Sequence, residues 1–162
     1  MIVKKETLRE SAKNLLNQRG ITLDDMADLV YFLQSSYVED LTLDTCRENI
    51  EAVLEKREVQ NAIVTGIQLD ILAEEGKLLQ PLQEILETDE SLYGIDEIMA
   101  LSIVNVYGSI GFTNYGYIDK VKPGILAKLN SHEEGKVHTF LDDIVGAIAA
   151  AAASRLAHSK PN

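Results

Sequence analysis

The chain has no tryptophan, one cysteine and three prolines, and aromatic residues make up only 6% of its 162 positions. With Cys46 alone, no intrachain disulfide can form, which excludes the stapled scaffolds of small secreted domains and makes a reducing cytoplasm the expected compartment. Long apolar runs are also missing. The longest, residues 144–153, spans about half of the ~20 residues that a bilayer-crossing helix needs. The opening MIVKKETLRE lacks the apolar stretch of a secretory signal. Basic residues are scarce as well: 15 Lys and Arg against 26 Asp and Glu leave a net charge of −11. That balance excludes the broad cationic face that general nucleic-acid binding requires, so no nucleic-acid partner is expected.

What is present fits one globular domain spanning residues 1–162. Hydrophobic residues make up 46% and charged residues 25%, ordinary values for a chain long enough to bury a core. The charge is uneven. Residues 1–19 carry Lys4, Lys5, Arg9, Lys13 and Arg19 against Glu6 and Glu10, whereas residues 20–100 hold most of the acids. A basic opening of this kind can approach the anionic inner face of a membrane, so peripheral membrane contact is one expectation. Its alternative is ordinary packing of Leu8, Ala12, Leu15 and Leu16 on one helical face.

Helical periodicity runs through almost the whole chain and predicts an all-α bundle of roughly six to eight helices with no transmembrane span. Thr22 precedes acids placed to cap a second helix, and either Thr42 or Asp44 starts a third. The third continues to Gly76 as one long helix or two. Pro81 opens a short helix, and another runs from about Ile95 to Tyr107. Gly108, Gly111 and Gly116 then mark a break or tight turn before Pro123, and the final helix starts near Thr139.

Two pairs of neighbouring acids open apolar helices: Asp96–Glu97 in YGIDEIMALSIV and Asp142–Asp143 in FLDDIVGAIAAAAA. One reading is that they cap those helices and complement the helix dipole. The other is a divalent-cation site formed where two such helices meet, one acid of each pair facing inward. Hard cations such as Mg²⁺ take oxygen ligands, and Asp119 and Lys122 in YIDKVKPG would add a carboxylate and an ammonium suited to a phosphate. Gly146 and the alanines after it allow another helix to pass close, or a second copy to pack in a homo-oligomer.

The segments GIDEIMAL, YIDKVKPG and FLDDIVGA, in that order, resemble the phosphatidylglycerophosphatase A family over about residues 60–157, nearest to a soluble, low-temperature-requirement-like branch. The resemblance implies an all-α fold and Mg²⁺-dependent hydrolysis of a phosphomonoester, phosphatidylglycerophosphate giving phosphatidylglycerol. Carried over, Asp96, Glu97, Asp119, Asp142 and Asp143 become the catalytic and metal-holding acids, and Lys122 the phosphate-binding residue. The nucleophile is open between water and an aspartate. Unlike the family's membrane-embedded members the chain has no long hydrophobic span, and polar helices over residues 1–57 stand in place of the family's Gly/Pro-rich opening. A soluble phosphoester is therefore an alternative substrate, and a non-enzymatic helical assembly module is the alternative class.

Other residues carry weaker expectations. His138 is either a general acid near Asp142 or a loop histidine. His132 and His158 have no ligand spacing. Tyr107, Phe112, Tyr115 and Tyr117 form either a mobile lid or packed aromatics, and Asn114 is a candidate for orienting a ligand. Cys46 reads as a small buried hydrophobe.

Overall fold

The computed structural model describes residues 5–131, 133 and 135–159, and for residues 5 and 6 the backbone alone. Lys4 of the basic opening and His132 lie outside the described residues. Within them the chain is all-α: α1 (Lys5–Gln18), α2 (Leu23–Gln34), α3 (Leu43–Leu54), α4 (Arg57–Glu74), α5 (Leu82–Thr88), α6 (Ile95–Val104), α7 (Ser109–Val121), α8 (Ile125–Asn130) and α9 (Leu141–Ser159). A 3₁₀ turn, Asn105–Tyr107, joins α6 to α7.

The helix starts follow their side chains. Thr22 accepts from the amide of Asp25 while the Asp25 carboxylate accepts from the amide of Thr22, a complete capping box. Thr42, rather than Asp44, caps α3 by accepting from the Thr45 amide. The long segment ending at Gly76 divides into α3 and α4, and buried Gln60 donates its side-chain amide to the Leu54 carbonyl across the division. The glycine-rich segment, read from sequence as a break, is helix α7. Only its ends break, at Gly108 (φ 86°) and at Lys122 (φ 51°). Gly111 lies inside the helix, where a Cβ would stand 2.8 Å from Val104 Cγ1, so its small size serves close packing.

Helix α9 occupies the centre, with α2, α3, α4, α6, α7 and α8 packed around it. Every residue from Leu141 to Ser154 is buried. A helix buried on all sides must present little bulk to most of its neighbours, and the run Ala149–Ala153 does so. From the other side, Gly66 of α4 permits the approach, because a Cβ there would overlap Ile144 Cδ1 and crowd Phe140. The small residues that the sequence offers to a second copy are thus spent inside the chain.

Helix α1 buries Leu8, Ala12 and Leu16, the face its periodicity indicates. Its cations pair within the molecule: Arg9 with Glu55 at 2.5 Å, Lys13 with Glu51 at 2.6 Å, and Arg19 beyond its end with Glu74 at 2.5 Å. Cys46 is buried as a free thiol. No described helix is long and apolar enough to cross a membrane.

Enlarging a residue inside α9 should separate the surrounding helices. Ala150→Leu is expected to destabilise the fold by about 1–3 kcal/mol, read as a lower urea midpoint with an unchanged slope.

Candidate functional site

The N-terminus of α9 is buried, so its first amides need partners from the protein. Asp70 of α4 supplies them. Its carboxylate accepts from the Phe140 amide at 3.0 Å and the Leu141 amide at 2.9 Å, from 70 residues upstream of Phe140. Thr139 adds a hydrogen bond from its hydroxyl to the Leu86 carbonyl of α5, at 2.7 Å. Capping is therefore carried by Asp70, and the Asp142 and Asp143 side chains are left for other contacts.

Those contacts lie in a cleft of about 240 Å³. Asp96 and Glu97 reach it from α6, Asp119 from α7, Lys122 from just beyond α7, and Asp142 and Asp143 from α9. All six residues singled out in the sequence line this one space. Asp89, Glu90 and Ser91, from the segment between α5 and α6, and Asn130 at the end of α8 complete its walls. Both members of the α9 pair face the cleft, and both are more than nine-tenths buried. Asp96 is half-buried and Glu97 exposed.

The electrostatics follow from that burial. Lys122 Nζ stands 2.7 Å from Asp119 Oδ1 and 3.4 Å from Asp142 Oδ2. Burial works to lower the Lys122 pKa, but the hydrogen bond to Asp119 and the charge of Asp142 outweigh it, and the net shift is upward. Burial raises the Asp142 carboxyl above the usual carboxylate range, with Lys122 pulling against it. Asp143 is raised by burial, then by the charge of Asp142 and a hydrogen bond with Asp96. Tyr115, buried on α7, donates its hydroxyl to Asp143 Oδ1 at 3.1 Å, and its own pKa is raised by burial and then by Asp143.

Among the described residues, no three carboxylate, histidine or cysteine side chains form a ready-made chelating group. Lys122 is the one cation among the residues that line the cleft, against seven acids, and its ammonium stands between Asp119 and Asp142. The donor set is oxygen-rich and underneutralised, a chemistry that suits a hard divalent cation.

Other candidates lie elsewhere. His138 is outside the acid cleft, its Nδ1 3.3 Å from the Leu129 carbonyl oxygen, and burial lowers its pKa. Asn114 is half-buried and also outside the cleft. Of the four aromatics, Tyr115 is buried and Tyr107 half-buried, whereas Phe112 and Tyr117 are exposed, Tyr117 stacking on Phe32 of α2 with centroids 5.9 Å apart. Sequence reasoning missed Asp70 and the Tyr115 hydroxyl. Asp70 had a signal, since Gly66, Ile67, Asp70 and Ala73 share one helical face and the other three are apolar or small.

A model of the phosphatidylglycerophosphatase A family matches residues 22–158. The chain belongs to the phosphatidylglycerophosphatase A family. The match begins well before residue 60, so the family likeness includes helices α2 and α3. Among its relatives, uncharacterized protein YutG of Bacillus subtilis (strain 168) is 64% identical over 151 residues, covering 93% of this chain and 91% of the relative. Uncharacterized protein YpjQ of the same organism is 56% identical over 160 residues, covering 97% and 90%. The crystal structure of the low temperature requirement C protein from Listeria monocytogenes superposes with a TM-score of 0.94 at 70% identity, over 96% of this chain and 98% of that one. These likenesses fall in the branch of the family indicated by the sequence motifs.

Burial pushes the Asp70 carboxyl up to about 8, against the Phe140 and Leu141 amides and Arg19, while the charge of Asp142 pushes the same way as burial. A raised folded-state pKa contributes stability that is full below the unfolded value of ~3.9 and is lost as pH rises through the folded value. Wild-type stability should therefore fall relative to that of Asp70→Asn from pH 6 to pH 9 in urea titrations. Asp70→Ala, which leaves two buried amides unpaired, should cost about 1–3 kcal/mol per amide at pH 6.

Proposed function

We propose that the chain is a Mg²⁺-dependent phosphatase that hydrolyses a phosphomonoester, phosphatidylglycerophosphate giving phosphatidylglycerol. One observation carries this reading: three motifs separated in sequence bring Asp96, Glu97, Asp119, Lys122, Asp142 and Asp143 to one cleft, in a member of the phosphatidylglycerophosphatase A family. Asp96, Glu97, Asp119, Asp142 and Asp143 would hold the ion. When bound, Mg²⁺ supplies charge neutralisation at the phosphate oxygens and lowers the pKa of a water. Phosphoryl transfer depends mainly on positioning and charge stabilisation, and the residues of this cleft are suited to both.

Lys122 orients the phosphate. Its ammonium is held between Asp119 and Asp142, so it enters the cleft charged and with a fixed direction. Tyr115 fixes the orientation of the Asp143 carboxyl through its hydroxyl.

A lipid substrate is favoured over a soluble ester by the surface beside the cleft. Leu92, Ile95 and Ile98 are exposed large hydrophobics, and in sequence they flank the lining residues Ser91, Asp96 and Glu97. They offer apolar contact to acyl chains while the headgroup phosphate enters the cleft. In this reading the enzyme works from the cytoplasm, peripherally, at the inner face of the membrane. The basic residues Arg9, Lys13 and Arg19 support that contact less, because each is already paired with an acid.

Purified protein should release phosphate from phosphatidylglycerophosphate vesicles with Mg²⁺ and not with chelator, faster than from a soluble phosphomonoester. Asp143→Asn and Asp96→Asn should each lower kcat at least about 100-fold, and full activity in both would sink the assignment. Thermal melts separate binding from catalysis. At pH 8, Mg²⁺ should raise the wild-type melting temperature by linkage. Without the ion, Asp143→Asn should melt higher than wild type, because it removes a buried acid whose charging is unfavourable.

A further inference from the structure

Beyond the acid cleft the chain holds a cavity of about 190 Å³ between the α1–α2 turn, helix α8 and the segment leading into α9. That exceeds tenfold the roughly 10–15 Å³ that one water requires. Three cations, Arg19, Lys128 and Lys136, line it together with His138, whose pKa burial lowers, and Glu133 is its one acid among the described residues. In a chain of net charge −11 this concentration of cations stands apart. Neither Lys128 nor Lys136 is in a salt bridge among the described residues, although the charge of Lys136 reaches Glu74. Arg19 is fixed rather than free: Nη1 and Nη2 hold Glu74, Nη2 also donates to the Val137 carbonyl at 2.8 Å, and the buried Nε has no partner.

The cavity is joined to the acid cleft. A narrow groove of about 20 Å³ shares Leu129, Lys136 and His138 with the cavity, and shares Asp89, Asn130 and Asp142 with the cleft. Two compartments of opposite charge thus lie end to end, with Asp142 and His138 both on the groove between them. A phosphate needs several positively charged donors in one place, and the lysines beside an immobilised guanidinium supply them.

We propose that this cavity binds a phosphate group, the second one of a substrate whose phosphomonoester end occupies the acid cleft. The second part rests on the phosphatase reading above, and the first does not. A ligand with one phosphate would use the cleft alone, and a ligand with two would span both compartments along the groove. The cavity then selects substrates by their second charge, and the acids choose the ester that is cleaved.

The test uses the full chain and a Lys128→Gln, Lys136→Gln double variant, whose exposed positions leave the core untouched. Inorganic phosphate is titrated calorimetrically without divalent cation, a condition in which the acid cleft repels it. Wild type should bind, and the double variant should bind at least about tenfold more weakly. Absent binding, or equal binding by both, overturns the proposal. In a second arm, kcat/KM is compared between a short alkanediol bisphosphate and a monoalkyl phosphate with Mg²⁺. The ratio should favour the bisphosphate and fall at least about tenfold in the double variant. If phosphate binding weakens but the ratio holds, the occupant is free phosphate and the substrate role is overturned. If neither ester is hydrolysed while phosphate binding depends on the lysines, the phosphatase reading fails and the anion site stands.

Discussion

The Asp70 carboxylate receives the first amides of α9 in a place from which water is excluded, and the geometry of the cleft depends on that contact. A helix wrapped by six others cannot adjust its position by sliding at one face, so the point at which it enters the core sets where its side chains fall. Asp142 and Asp143 follow directly after that entry point. With the amides served by α4, the aspartates are released from capping and can face α6 and α7.

Burying adjacent carboxylates carries a cost that the molecule spreads over several groups. The Lys122 ammonium stands between Asp142 and Asp119, and the Tyr115 hydroxyl donates to Asp143. Even so, burial keeps the pair above the ordinary carboxylate range. In the proposed function, carboxyl groups raised in this way would give up protons to a divalent cation, which neutralises more charge from one position. The pattern agrees with a general trade in which functional sites hold strain or charge that the fold alone would not favour.

Much of this was legible in the residues. The period of 3.6 placed the helices and the buried face of α1, and the three acid-bearing motifs, read together, named six residues that share one cleft. What escaped did so for physical reasons. Glycines at 111 and 116 look like helix breakers in a linear reading, yet Gly111 answers a close contact with Val104 that exists only once α6 and α7 pack. The partner that caps α9 lies far upstream, and capping rules look for it within a few residues. The basic cavity brings Arg19, more than about 100 residues upstream, beside Lys128 and Lys136, so no local pattern announces it.

The account turns on whether the acid cleft takes up a divalent cation in place of protons. Equilibrium titration with Mn²⁺, followed by electron paramagnetic resonance in weak buffer near pH 7.5 with the released protons counted, addresses this directly. The account predicts saturable binding that releases protons in wild type and is weakened at least about tenfold in Asp143→Asn. Saturable binding that is equal in the variant, or no saturable binding in wild type, would contradict it.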